Sequence, residues 1–377
     1  MRNFTVDRAR RLPSPEGARK AAPAAVGLLA LGVALSACGP SPMDMEEHPI
    51  TESTPSRAAG EELLRSGDPE EACPEEPLRA DSGSTVSVAS SPGDDADKVR
   101  VPTEPERILA LGYGAADTAC ALGLQDRVVA TSPLPAGANA VLPPRLTSAP
   151  IADPATAEFS SQVRDLDPDV ILVGADAGVT AAELRKTLGD DGAPIISYED
   201  PGAEVPWSES ARVAAAALGR EKAMDTLLTD FIGFYEGAAE ASTPSDTQVS
   251  VVQFDGGEPR IADPDILGVR ILTAMGAQRP PAQLLEDGEP VDPPDYSPIA
   301  GDELSGDVVF AIKPPGPNGE AEMRSVFESE RWEELSPMKN RRVFVVEPSV
   351  WQGRGIVAAR TAVQDIAANI NRYSADG

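Results

Sequence analysis

From residue 84 onward, short apolar runs alternate with amphipathic stretches, and the two periods can be read directly off the chain. Residues 85–89 and 98–101 alternate apolar and polar side chains around the turn-rich 91–97, which predicts a β-hairpin. The runs 107–111 (RILAL), 127–131 (RVVAT), 169–173 (DVILV) and 193–197 (APIIS) predict buried strands, separated by helical patterns at 115–122, 160–166 and 181–188. Strands alternating with helices at this spacing imply right-handed βαβ units and a parallel sheet. A longer helical pattern then runs from 220 to 240, with Met224, Leu227, Leu228, Phe231 and Tyr235 on one face. At 1.5 Å per residue it spans about 30 Å and suits a strut between two halves. The second half repeats the texture, with strands at 248–254, 307–312 and 342–346 and helices at 267–275, 323–335 and 356–370. The fold class expected is α/β: two lobes with mostly parallel sheets, joined by a long rigid helix.

The front of the chain follows other rules. Arg2, Arg8, Arg10, Arg11, Arg19 and Lys20 precede the apolar run 24–37, the order of a signal peptide. That run is shorter than the roughly 20 residues a bilayer-spanning helix needs. It ends in Leu35-Ser36-Ala37-Cys38, which resembles the bacterial lipobox, where the cysteine thiol is acylated before cleavage. Residues 1–37 are therefore expected as a signal peptide. Residues 38–83, rich in Glu, Pro, Ser and Ala, are expected as a lipidated, disordered tether. The remaining divisions expected are a first α/β lobe at 84–206, connecting helices at 207–241 and a second lobe at 242–377.

Composition narrows the chemistry. The chain carries a net charge of −29, and its first 37 residues are basic, so the rest is more acidic still. Nucleic acid and anionic lipid headgroups are thereby excluded as partners, because both require a basic surface. The single histidine, His48, lies in the expected tether, so a Ser-His-Asp triad or a His-rich metal site cannot be built in the folded part. No G-x-S-x-G elbow or P-loop occurs. A secreted hydrolase would need an acid-only mechanism, and pairs such as Asp190-Asp191 and Asp94-Asp95 sit in turn-like, solvated stretches. Neither an enzyme nor a resident cofactor is expected. Cys73 and Cys120 remain, and an oxidising compartment favours their pairing over a free, buried Cys120.

Val101-Pro102, residues 105–112 (PERILALG), Ala115-Ala116-Asp117 and Ala121-Leu122-Gly123 together resemble the opening of the iron-siderophore and cobalamin group of periplasmic substrate-binding proteins. Residues 166–172 (LDPDVIL), Leu218-Gly219, Trp332-Glu333-Glu334-Leu335, 342–346 (RVFVV) and Trp351 continue the match in order, over roughly residues 84–372. The resemblance implies a lipoprotein component of an ABC importer, at the outer face of the cytoplasmic membrane. Its implied partners are a ferric siderophore, a membrane permease with its ATPase, and the membrane itself through the lipid anchor. The protein is expected as a monomer, with iron present only inside the ligand.

Ligands in such folds bind beyond the carboxyl ends of the strands. Aromatic and cationic residues at those ends are the candidate ligand-binding set: Tyr113, Tyr198, Trp207, Arg260, Trp351 and Arg354. Trp207 has a bland alternative as padding against a helix, and Arg260 and Arg354 as surface ion pairs with the abundant acids. Permease docking in the family uses a glutamate on each lobe. This chain departs from the pattern, offering Glu158 beside Ser160-Ser161 in the first lobe and Asp302 or Glu303 in the second. The choice among ferric siderophore, haem (with Tyr113 or Tyr198 as axial ligand) and cobalamin stays open, as does a cell-envelope lipoprotein that keeps the fold without transport.

Overall fold

The computed structural model describes residues 68–370, apart from 90–97, 190–191, 200–205, 243, 256–257, 281–282, 284–305 and 315–317. The hairpin pairs β1 (Thr85–Ala89) with β2 (Lys98–Pro102) in antiparallel register. In the first lobe β3 (Ile108–Leu111), β4 (Val128–Thr131), β5 (Val170–Val173) and β6 (Ile195–Ser197) form a wholly parallel sheet in the order β4-β3-β5-β6. β3 and β5 are buried at every position, which explains why they read as unbroken apolar runs.

The pleat sorts these side chains between two cores. Ile108, Ala110, Val170 and Leu172 face inward with α1 (Tyr113–Ala121). Leu109, Leu111, Ile171 and Val173 face outward, under α2 (Phe159–Leu166) and α3 (Ala181–Leu188). The second α3 signal is a complete capping box, in which Thr180 and Glu183 exchange hydrogen bonds at the helix start.

The connecting pair is α4 (Trp207–Ala217) and α5 (Glu221–Ser242). They meet at Gly219, whose φ of +65° suits glycine. A Cβ there would collide with the backbone of Thr103. The second lobe holds β7 (Val249–Asp255), β8 (Glu258–Ile261), β9 (Val308–Ile312) and β10 (Val343–Val346), in the order β10-β9-β7-β8. β7, β9 and β10 are mutually parallel, and β8 returns antiparallel on β7. The sequence pattern did not announce β8, because Pro259 interrupts it; proline is tolerated there because β8 is an edge strand. Val252, Phe254, Val309 and Ala311 pack with Met323 and Phe327, while Val251, Phe310 and Phe344 face inward.

Among the described residues, the longer helices of this lobe are α6 (Leu267–Ala274), α7 (Gly319–Phe327) and the closing α8 (Ile356–Asn369). The single helix expected over 323–335 is instead α7 followed by a separate turn, Glu330–Glu333, because Ser329 adopts an extended backbone between them. α8 packs on α1, α5 and α6 together, and one inner hydrophobic core therefore runs through both lobes. Its members include Leu122, Met224, Leu272, Phe310 and Ile366.

The stretch 68–83 corrects the expectation of a tether reaching to residue 83. Asp68 caps a helical turn at Pro69–Glu71, and Cys73 is bonded to Cys120. Leu78 N–H donates to Leu122 O (2.9 Å), Asp81 N–H to Gly219 O (2.7 Å), and the Arg220 guanidinium to Leu78 O (3.0 Å). The segment offers few apolar side chains, Ala72 and Leu78 among them, and a covalent bridge and backbone hydrogen bonds hold it as well. Closing a loop of 47 residues, the bridge contributes on the order of 4 kcal/mol by limiting the unfolded chain. The Cys73→Ala/Cys120→Ala variant should accordingly lose about that much in denaturant unfolding, and adding reductant should weaken the parent protein while leaving the variant unchanged.

Candidate functional site

Residues that follow the carboxyl ends of the two sheets meet, Glu199 with Arg354 and Gly137 with Ser349, and beside them lies the turn from β3 into α1. Gly112 sits at φ 104° and donates its N–H to Ser132 Oγ just after β4 (2.8 Å). Tyr113 N–H donates to Asp176 Oδ2, three residues past β5 (2.9 Å), and Ala115 N–H to the hydroxyl oxygen of Tyr198, past β6 (2.9 Å). Glycines let these groups converge: a Cβ on Gly112 would lie 2.5 Å from Asp176 Oδ1 and 2.7 Å from the Tyr198 hydroxyl. Burial, with Asp176 and Glu199 nearby, holds the Tyr198 phenol well above its ordinary pKa, so it remains protonated.

Facing residues come from the second lobe. Arg354 Nη1 stands 3.5 Å from Glu199 Oε1; the guanidinium is half exposed while the Glu199 side chain is buried. Burial raises the Glu199 pKa, against Arg354 and the Ala175 N–H, which lower it. Ser349 Oγ donates to Gly137 O (2.7 Å), and Glu347, next after β10, reaches the same turn. Lys313, next after β9, lies 4.0 Å from Glu347 and 3.7 Å from Glu320.

Behind the floor, Asp117 of α1 joins the lobes. Its carboxylate is fully buried and accepts from Val357 N–H (3.0 Å) and Ala358 N–H (2.9 Å), the first turn of α8. Gly355, which precedes that helix, has no room for a Cβ beside Asp117. Asp117 thus supplies to α8 the cap that α8 lacks in its own sequence.

The aromatic part of the expected wall needs correction. Trp351 has no exposed surface: it ends a one-turn helix, Pro348–Trp351, started by Pro348, which turns the indole inward. There it stacks on Phe310 (centroids 4.7 Å apart), donates Nε1–H to Asp365 (3.1 Å), and fills the space over Gly268. Tyr113 is 3% exposed and Tyr198 1%, so both belong to the floor's core; neither offers a ring or an axial oxygen to a haem. Trp207 packs edge-on against Phe231 of α5 (5.5 Å), in the helix pair. Arg260 is exposed on β8, opposite Gln253.

Of the proposed cations, only Arg354 is brought to the floor. Glu158 is exposed at the start of α2, whereas Cys38, Asp302 and Glu303 lie outside the described residues. Asp176, Glu199, Lys313 and Glu347 were missed. The available signal was position, since each follows a strand end by at most three residues.

The family model for periplasmic binding proteins matches residues 108–350. The chain belongs to that family. Members bind substrates for transport and are not enzymes. No curated protein sequence matches the chain. Among solved structures, the petrobactin-binding protein YclQ from Bacillus subtilis is similar, with 17% identity, a TM-score of 0.58, and coverage of 77% of this chain and all of that one. A FhuD fold-family binding protein of a Fep/Fec-like ferrichrome ABC transporter, also from Bacillus subtilis, shares 19% identity over 74% of this chain and 98% of its own (TM-score 0.57). Staphylococcus aureus SirA, solved with staphyloferrin B, shares 18% over 77% and 99% (TM-score 0.56). Among the described residues of this periplasmic binding protein, no helix is long and apolar enough to cross a membrane, and no group of His, Cys, Asp or Glu could hold a metal ion.

The Asp117 cap makes a pH-dependent prediction. Burial raises its pKa from 3.8 to about 6, outweighing the N–H groups of Ala358, Val357 and Ile356, which lower it. A carboxyl group with a raised folded-state pKa contributes stability that is complete below the unfolded value and lost as pH rises through the folded one, on the order of 3 kcal/mol here. The stability of the parent protein relative to Asp117→Asn should therefore fall between about pH 4 and pH 7 in denaturant unfolding; a rise would contradict the assignment.

Proposed function

We propose that this chain is an extracytoplasmic, lipid-anchored protein that captures a ferric siderophore and passes it to the permease and ATPase of an ABC importer. The observation that carries the reading is the convergence of residues after both sheets' carboxyl ends on one polar floor, Asp176, Glu199 and Arg354, which Gly112 and Gly114 allow to pack closely. That placement is where open α/β sheets take ligands. Three structurally similar proteins, named above, are by their names petrobactin-, ferrichrome- or staphyloferrin-related, which supports the choice of guest. Leu35-Ser36-Ala37-Cys38 supports acylation at Cys38 and retention at the outer face of the cytoplasmic membrane.

The partner surface follows the same logic. Glu158 stands exposed on the first lobe, and Asp302 or Glu303 would serve as its counterpart on the second, each meeting a permease arginine. The protein acts as a monomer in this reading.

Purified protein should bind a ferric siderophore with a Kd at or below about 1 μM in equilibrium dialysis with radioactive iron. Absence of binding across ferric hydroxamates, catecholates and carboxylates would refute the reading. In cells, Cys38→Ala should shift the protein from the membrane fraction to the soluble fraction. Glu158→Lys combined with Asp302→Lys should stop iron uptake while leaving the dissociation constant unchanged.

A further inference from the structure

We infer that this chain carries a second binding site, separate from the strand ends, for a short apolar peptide with free termini. The site is a cavity of about 420 Å3, within the roughly 300 to 1,000 Å3 that small-ligand sites occupy. None of Asp176, Glu199, Glu347 and Arg354 lines it, so the inference stands apart from the siderophore reading.

Five parts of the chain build the walls. Ala121 ends α1, Val141 follows the Gly137 turn, Leu227 belongs to α5, and Ile356 and Val357 open α8. The fifth part is the stretch after Asp68, which the Cys73–Cys120 bridge pins to α1. Apolar side chains from both lobes and from the helix that joins them thus surround one space, and a surface of that kind takes an apolar body.

The polar groups on these walls define the rest of the guest. Arg360 lies over the Phe234 ring, 5.5 Å from its centroid, and among the described residues it makes no hydrogen bond or ion pair. A guanidinium held in this way suits a carboxylate, which it meets with two parallel hydrogen bonds. Gln364 stands one turn further along the same face of α8, and its side-chain amide also makes no hydrogen bond among the described residues. A peptide group supplies both the donor and the acceptor that such an amide takes. Thr361, between them, donates to Val357 O (3.0 Å) and keeps its oxygen lone pairs for a further donor. Asp68 and Glu71 share the cavity with Arg360, yet neither is paired with it, and a free ammonium group answers them. A carboxylate, a peptide group and an ammonium on an apolar body are the parts of a di- or tripeptide.

The test removes one part of the guest at a time. Isothermal titration of the full chain with the dipeptide Leu-Leu should give a Kd below about 1 mM. The dipeptide amide, which lacks the carboxylate, and the N-acetyl dipeptide, which lacks the ammonium, should each bind at least about tenfold more weakly, and Gly-Gly, which lacks the apolar body, should not bind. Arg360→Met keeps an apolar stem over Phe234 and should make Leu-Leu and its amide equal. Asp68→Asn with Glu71→Gln, which retains a capping side chain on the helical turn, should make Leu-Leu and its acetyl form equal. No binding of Leu-Leu at about 10 mM, or equal binding of Leu-Leu and its amide by the parent protein, would overturn the inference. Octanoate bound as tightly as Leu-Leu would overturn it too, by reducing the site to an apolar slot with one cation. None of these outcomes bears on siderophore binding, because the cavity shares no residue with the strand-end site.

Discussion

A single buried carboxylate determines how the halves of this protein stand to one another. Asp117 belongs to the first helix of one lobe, yet its oxygens take the leading N–H groups of the closing helix of the other. Neither partner has an alternative: α8 begins after Gly355 without a capping side chain, and the Asp117 carboxylate is fully buried. An unmade bond on either side would leave buried polar groups unsatisfied, at about 1 to 3 kcal/mol each. The shared hydrophobic core then wraps this contact from both lobes. Affinity in such a frame has to come from a cleft whose shape exists before the guest arrives.

The same economy governs the cleft floor. Backbone N–H groups of the β3-to-α1 turn are satisfied by Ser132, Asp176 and Tyr198, each from a different strand end. The floor is therefore a hydrogen-bonded unit, and its glycines are there for close approach. Rings that might have lined a wall serve the interior, where Trp351, Phe310 and Phe344 form one stack.

Much of the architecture was legible in the chain, for reasons of period. Fully apolar strands such as Val170–Val173 announce burial on both faces, and the facial pattern of Met224, Leu228 and Phe231 marks the connecting helix. The site was less legible. Trp351 followed a strand and preceded glycines, as a cleft residue would, but Pro348 nucleates a turn of helix that no periodicity reveals. Tyr113 and Tyr198 were placed at the right strand ends, yet whether a side chain there points up or down depends on glycines in neighbouring strands. Glu199 was invisible for another reason: one acid among many carries no signal until its arginine partner, 155 positions later, is brought beside it. Residues 68–83 look like linker because composition speaks only of apolar burial; the pinning bonds are backbone groups and one bridge.

The outer strand of the second sheet has a consequence for how two copies can meet. β8 leaves one row of peptide groups without a neighbouring strand, the kind of border on which two identical molecules can zip together. Pro259 removes a donor from the middle of that border, and Glu258 and Arg260 crowd it with charge. Two copies meeting along this side would thus be kept from pairing edge to edge.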